Sequence, residues 1–143
     1  MKLGIVVSEY NFDITMMMLE RAKDQAEFLG VEIDEVMKVP GTFDIPMGVL
    51  TLAQRGGLDA IVTLGAVIQG ETKHDEIIMQ NAARKAMDIS IEKNIPVTLG
   101  ITGHGETRLQ AESRIEVAKS AVDAAVKLVR QREKVLKNNK ESK

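Results

Sequence analysis

The chain contains no cysteine and no tryptophan, and its single tyrosine belongs to an aromatic content of only 3%. Without thiols there is no disulfide framework and no thiolate nucleophile or metal ligand, which fits a reducing compartment. A dominant charge is missing too: 19 Lys and Arg stand against 21 Asp and Glu, for a formal net charge of −2. No basic field is therefore available, and a nucleic-acid partner is not expected. No apolar run approaches the ~18 residues that a membrane-spanning helix needs. Met1, Lys2, Leu3 and Gly4 lead straight into a strand pattern rather than a leader segment. The expectation is a cytoplasmic protein with no membrane partner.

What is present is ordinary in amount and ordered in pattern. The 143 residues, 44% hydrophobic and 28% charged, suit one globular domain spanning 1–143, with a polar tail at 137–143 expected to fray. Residues 3–7 are short, apolar and β-branched, a strand buried on both faces. Residues 14–29 place Ile14, Met18, Ala22, Ala26 and Leu29 on one helical stripe, with Asp13 as N-cap and Gly30 as stop. Met16, Met17 and Met18 read as packing residues. Residues 31–36 form a second strand, and the loop at 39–46 ends in a helix opened by Pro46 and closed at Gly56 and Gly57. Residues 59–66 read as the third strand. A helix from near Thr72 follows, carrying Ile78, Ala82, Ala86 and Ile89 on one face and stopping at Asn94. A fourth strand spans 95–101, and a long helical pattern at 107–136 has Ala118, Ala121, Val122, Ala125 and Val129 as its stripe. This alternation predicts an α/β protein, a three-layer α/β/α sandwich around a four-stranded parallel sheet with flavodoxin-like winding.

Sheets of this kind hold ligands outside the carboxyl ends of their strands. Four loops lie there, at 8–12, 39–44, 65–74 and 100–106, and they carry the unusual residues. In Gly65-Ala66-Val67-Ile68-Gln69-Gly70-Glu71-Thr72-Lys73-His74, a strand runs into a glycine turn and a helix start. Gly70 lets the backbone bend, and the helix start aims unpaired N–H groups at an anion. His74 adds an imidazole, the side chain best suited to moving protons near neutral pH. Tyr10 supplies a flat ring that suits stacking. Plainer readings stand beside these. Thr72 and Asp44 each have the chemistry of a helix cap, Arg114 that of a solvated helix charge, and His104, between two glycines, is not expected to act in catalysis.

Four ordered motifs carry a resemblance: Tyr10-Asn11 followed by Ile14-Thr15; Val39-Pro40-Gly41-Thr42-Phe43-Asp44-Ile45-Pro46; the Gly65 to His74 stretch; and Pro96-Val97-Thr98-Leu99-Gly100-Ile101-Thr102 followed by Thr107, Gln110, Ala111 and Arg114. Together they resemble the 6,7-dimethyl-8-ribityllumazine synthase family over nearly the whole chain. The resemblance implies condensation of 5-amino-6-(D-ribitylamino)uracil with 3,4-dihydroxy-2-butanone 4-phosphate, the penultimate step of riboflavin synthesis, with no cofactor and no metal. It implies that Tyr10 stacks on the pyrimidine, with Asn11 beside it, and that Thr42, Phe43 and Asp44 line the ribityl chain. Ala66, Val67 and Ile68 would offer backbone groups to the ring edge. Gly70, Glu71, Thr72 and Arg114 would hold the phosphate, and His74 would transfer protons. Three positions depart from the family's usual residues: Tyr10 for Phe or Trp, Asp44 for Glu, and Leu99 for a phenylalanine that meets the substrate ring. A second basic residue is assigned only loosely, to Lys119.

The family also implies an assembly, a homopentamer with the site between subunits, Leu99 and Arg114 coming from the adjacent chain, and in some members a 60-subunit icosahedral shell. The join after Arg114 is short, which in this family goes with the shell. Two alternatives remain on the same fold. A noncatalytic small-ligand binder of receiver type needs an aspartate after the third strand, where this chain has Gly65-Ala66. A shell-forming relative that lost the chemistry has no need of His74 and Arg114 together.

Overall fold

Strands and helices alternate through the described part of the chain, residues 1–70 and 74–141 of a computed structural model. β1 (Lys2–Ser8) pairs on one side with β2 (Glu32–Val39) and on the other with β3 (Ala60–Ile68). β4 (Val97–Glu106) extends the sheet beyond β3, giving an all-parallel order β2-β1-β3-β4. The winding reverses between β1 and β3, which opens a crevice at their carboxyl ends.

Alternation along the strands sorts the core into two layers. Leu3, Ile5 and Val7 face α1 (Phe12–Leu29) and α5 (Val117–Glu141), whose Ile14, Met18, Ala22, Ala118, Val122 and Ala125 fill that side. Val6 and Ile61 face the opposite way, onto Val49 and Leu52 of α2 (Ile45–Arg55) and Ala86 of α3 (Asp75–Lys93). β3 is buried along all nine residues. Each fully buried aliphatic side chain there contributes roughly 1.5–3 kcal/mol relative to exposure, so β3 is the fixed element from which the site is hung.

Several boundaries differ from the sequence reading, each for a local reason. α1 starts at Phe12 after Asn11, whose φ of 61° is left-handed. Asp13 therefore lies inside the first turn, where its carboxylate pairs with Arg108 instead of capping the helix. Successive helical residues are turned by about 100°, so of the three methionines Met18 is buried, Met16 partly buried and Met17 exposed. β3 runs on to Ile68 and β4 through Glu106, over stretches that read as loops because of their glycines. Gly103 has φ 99°, and a Cβ there would stand 2.3 Å from the Val67 carbonyl oxygen. The glycine marks a close crossing of two strands, not a loop.

The long helix at 107–136 is two helices, α4 (Arg108–Ser113) and α5, separated near Arg114 without any Gly or Pro to announce the break. Thr107 caps α4 by accepting from the Gln110 N–H at 3.2 Å, and Gln110 accepts from the Thr107 N–H at 2.9 Å. α5 continues to Glu141, through most of the tail expected to fray, because Lys, Glu and Leu are good helix formers. α3 starts at Asp75 with His74 at its N-cap position, three residues after the expected start at Thr72.

Candidate active site

At the crevice between β1 and β3 lies an apolar hollow of 120 Å³. The loop after β1 contributes Tyr10 and Asn11, the 3-10 turn Thr42–Asp44 contributes Thr42 and Phe43, and β3 contributes Ala66, Val67 and Ile68. Ile78 of α3 closes one side. The walls are tied to one another by hydrogen bonds to backbone carbonyls. Asn11 Nδ2 donates to the Ala66 carbonyl at 2.9 Å, while the N–H groups of Glu9 and Tyr10 donate to Val39 and Pro40 at 2.7 and 3.0 Å. The left-handed turn at Asn11 directs its amide onto β3, which suits the short polar side chain of asparagine.

Tyr10 and Phe43 leave their rings largely exposed at the rim, whereas Thr42 is buried. Thr42 packs over Gly65, where a Cβ would come within 3.1 Å of its Oγ1. Asp44 does not line the hollow. Its Oδ2 accepts from the Gly41 N–H at 3.1 Å, so the carboxylate closes the 3-10 turn rather than capping α2.

A polar corner adjoins the hollow where β3 and β4 end. Gly70 turns the chain with φ 88°, and His74 stands exposed at the start of α3. Glu71 and Thr72, expected phosphate contacts, lie outside the described residues. The Gln69 N–H donates to the Glu106 carbonyl at 2.7 Å, and the Gly105 N–H donates to Asp75 Oδ2 at 3.3 Å. These two bonds bring the β3 exit and the α3 start against the end of β4. There Glu106 is completely buried. Its carboxylate accepts from Thr102 Oγ1 at 2.7 Å and from Arg114 Nη1 at 2.9 Å. Asp75 and Glu76 place negative charge in the first turn of α3, which disfavours an anion there unless a cation is supplied.

Leu99, expected to reach the site from an adjacent chain, lies apart from the hollow of its own chain. It lies 45% exposed on β4, in a separate apolar groove with Arg84 and Met87 of α3. Lys119 is exposed in the first turn of α5, close enough to Glu116 to help hold that carboxyl below its ordinary range after the larger effect of Arg21. Two residues of this region were not singled out as site residues by the sequence reading, Ile78 and Glu106. Only the spacing offered a signal for the second, a carboxylate eight residues before Arg114. Among the described residues no group of three His, Cys, Asp or Glu side chains forms a metal site, and no helix is long and apolar enough to cross a membrane.

Residues 1–133 match the family model described as 6,7-dimethyl-8-ribityllumazine synthase. A protein of that name from Picrophilus torridus is 54% identical over 138 residues, covering 96% of this chain and 98% of the relative. Another from Pyrobaculum calidifontis is 57% identical, covering 97% of this chain and 93% of the relative. A third, from Archaeoglobus fulgidus, is 57% identical over 90% of each chain. Similarity of this extent, at these identities, leaves one conclusion: the chain belongs to the 6,7-dimethyl-8-ribityllumazine synthase family.

Proposed function

We propose that this protein condenses 5-amino-6-(D-ribitylamino)uracil with 3,4-dihydroxy-2-butanone 4-phosphate to 6,7-dimethyl-8-ribityllumazine, releasing phosphate and water. One observation carries the reading beyond family membership. An apolar hollow at the end of β3 and a histidine at the start of the helix that follows lie along one short stretch of chain, which suits a planar heterocycle and the group that moves its protons. In this reading Tyr10 stacks on the pyrimidine from the exposed rim. Thr42, Phe43 and the second oxygen of Asp44 accompany the ribityl chain, and the backbone of Ala66, Val67 and Ile68 meets the ring edge. Asn11 holds that edge in place through Ala66. Gly70, Glu71, Thr72 and Arg114 receive the phosphate.

The amine adds to the ketone and water leaves to give an imine. Loss of a proton and of phosphate then gives an enol that tautomerises to a ketone, and the ribitylamino nitrogen closes onto that carbonyl with loss of a second water. His74 carries protons in these stages, a role typically worth about 10²–10⁴-fold. The separate, exposed groove around Leu99 supports completion of the site by a neighbouring copy, as in a pentamer, with a 60-subunit shell as the larger assembly and the cytoplasm as its place. Lumazine absorbance and fluorescence, followed after mixing the two purified substrates with the protein, test the reaction. Product is expected; none at any pH between about 6 and 8, the range over which imidazole ordinarily changes charge, refutes the reading.

A further inference from the structure

The buried carboxylate of Glu106 has no part in the reaction just described, yet it is the most constrained charge in the corner. It is 0% exposed, and removing a carboxylate from water costs several kcal/mol unless its partners are well placed. Two partners are, Thr102 Oγ1 on one oxygen and Arg114 Nη1 on the other. The pair is asymmetric. Arg114 is 47% exposed and needs no carboxylate in order to stay solvated, whereas Glu106 depends on the arginine. What the arginine receives is a fixed position, since a free arginine side chain carries rotamer entropy that an anion would otherwise have to overcome.

The anchor is itself tied to the exit of β3. The Glu106 carbonyl accepts from the Gln69 N–H, one residue before Gly70. α4, capped at Thr107, brings the chain back so that Arg114 reaches the same carboxylate from the helix end. With Nη1 spent on Glu106, the rest of the guanidinium fork remains for a second anion.

We infer that Glu106 is a positioning residue of the phosphate site: it orients the Arg114 guanidinium so that its open edge meets the phosphate of the four-carbon substrate, and Thr102 orients Glu106 in turn. The inference rests on the proposed reaction, and the pair's plainer role is to pin α4 to β4. The two roles separate in steady-state kinetics. Glu106→Gln is expected to raise both KM for the butanone phosphate and the inhibition constant of inorganic phosphate by roughly ten- to a hundredfold, the value of a charge-assisted contact. KM for the pyrimidine stays at the parent value. Arg114→Ala shows the same pattern, and the double variant loses little beyond Arg114→Ala alone, the non-additivity of two groups acting as one. Thr102→Val, which leaves both charges in place, shifts the same two constants by roughly two- to fivefold.

An inhibition constant for phosphate unchanged in folded Glu106→Gln overturns the inference, as do losses that add in the double variant or that fall equally on both substrates. If Glu106→Gln does not fold, judged by circular dichroism, Thr102→Val decides by the same constants. Absence of product from the intact protein refutes the reaction instead; calorimetric titration of inorganic phosphate into the intact protein and Glu106→Gln then still tests the contact.

Discussion

Asn11 and Asn94 are the two non-glycine residues with positive φ among the described residues, at 61° and 54°, and they sit at opposite ends of the sheet. Asn11 leads into α1 at the carboxyl ends of the strands, and Asn94 ends α3 at the amino ends. The same residue solves the same backbone problem twice, but the side chains are used differently. Asn11 Nδ2 is bonded to the Ala66 carbonyl on β3, in the wall of the hollow, whereas Asn94 Oδ1 accepts from Arg132 on the surface of α5 at 2.7 Å. The amino-end cavity beside Asn94 is also the larger, 340 Å³ against 120 Å³. Volume therefore does not distinguish the proposed site. Loops bonded to a buried strand do, because they hold polar groups in fixed relation to one another.

The largest expected effect contrasts the two ends directly. His74→Ala lowers lumazine formation by about 10²–10⁴-fold, while Lys93→Ala, beside the larger cavity, leaves the rate at the parent value; comparable losses from both would erase the distinction. A smaller effect sharpens it. Asn11→Gly keeps the left-handed turn but removes the bond to Ala66, and one such hydrogen bond is worth about 0.5–1.5 kcal/mol. KM for the pyrimidine should rise by roughly two- to tenfold, with the fold intact by circular dichroism. Asn94→Gly, measured in parallel, should leave both kinetic constants unchanged.

The smallest effect belongs to neither end. The Arg21 hydrogen bond holds the Glu116 carboxyl below its ordinary value, between exposed side chains of α1 and the segment before α5. A depressed folded-state value stabilises above the unfolded carboxylate range and is lost as pH falls through the folded value. Arg21→Ala should therefore lower the thermal midpoint only slightly, by no more than about 2 °C near neutral pH. The difference from the parent should vanish in acid, and a gap that widened there would reverse the assignment.

Periodicity made the layers legible. The stripes through Ile14 and Ala118 are the ones buried, because an amphipathic helix has only one face to offer a sheet. The hollow was legible in its residues but not in its division of labour. Asp44 had the chemistry of a ligand or a helix cap; it does not cap α2, and one of its oxygens closes the 3-10 turn instead. Leu99, expected to serve a neighbouring chain, sits in another groove of its own chain, and spacing alone does not say which groove a strand residue enters without the register. Glu106 was hidden for a different reason. Its neighbours Gly103 and Gly105 read as loop signals, whereas here glycine serves the close passage of β4 past Val67. A strand hidden by its glycines hides its buried charge as well.

The complete burial of β3 has a consequence in time. Strand amides protected on both sides exchange hydrogen with solvent only through global unfolding, whereas surface loops open locally and far more often. The amides of Ile61, Val62 and Leu64 should thus exchange last, and those at the rim by Tyr10 and Phe43 among the first. On the proposed reading a substrate meets one immovable wall and two that breathe. Its binding should register as slowed exchange in the loops, with none in the strand.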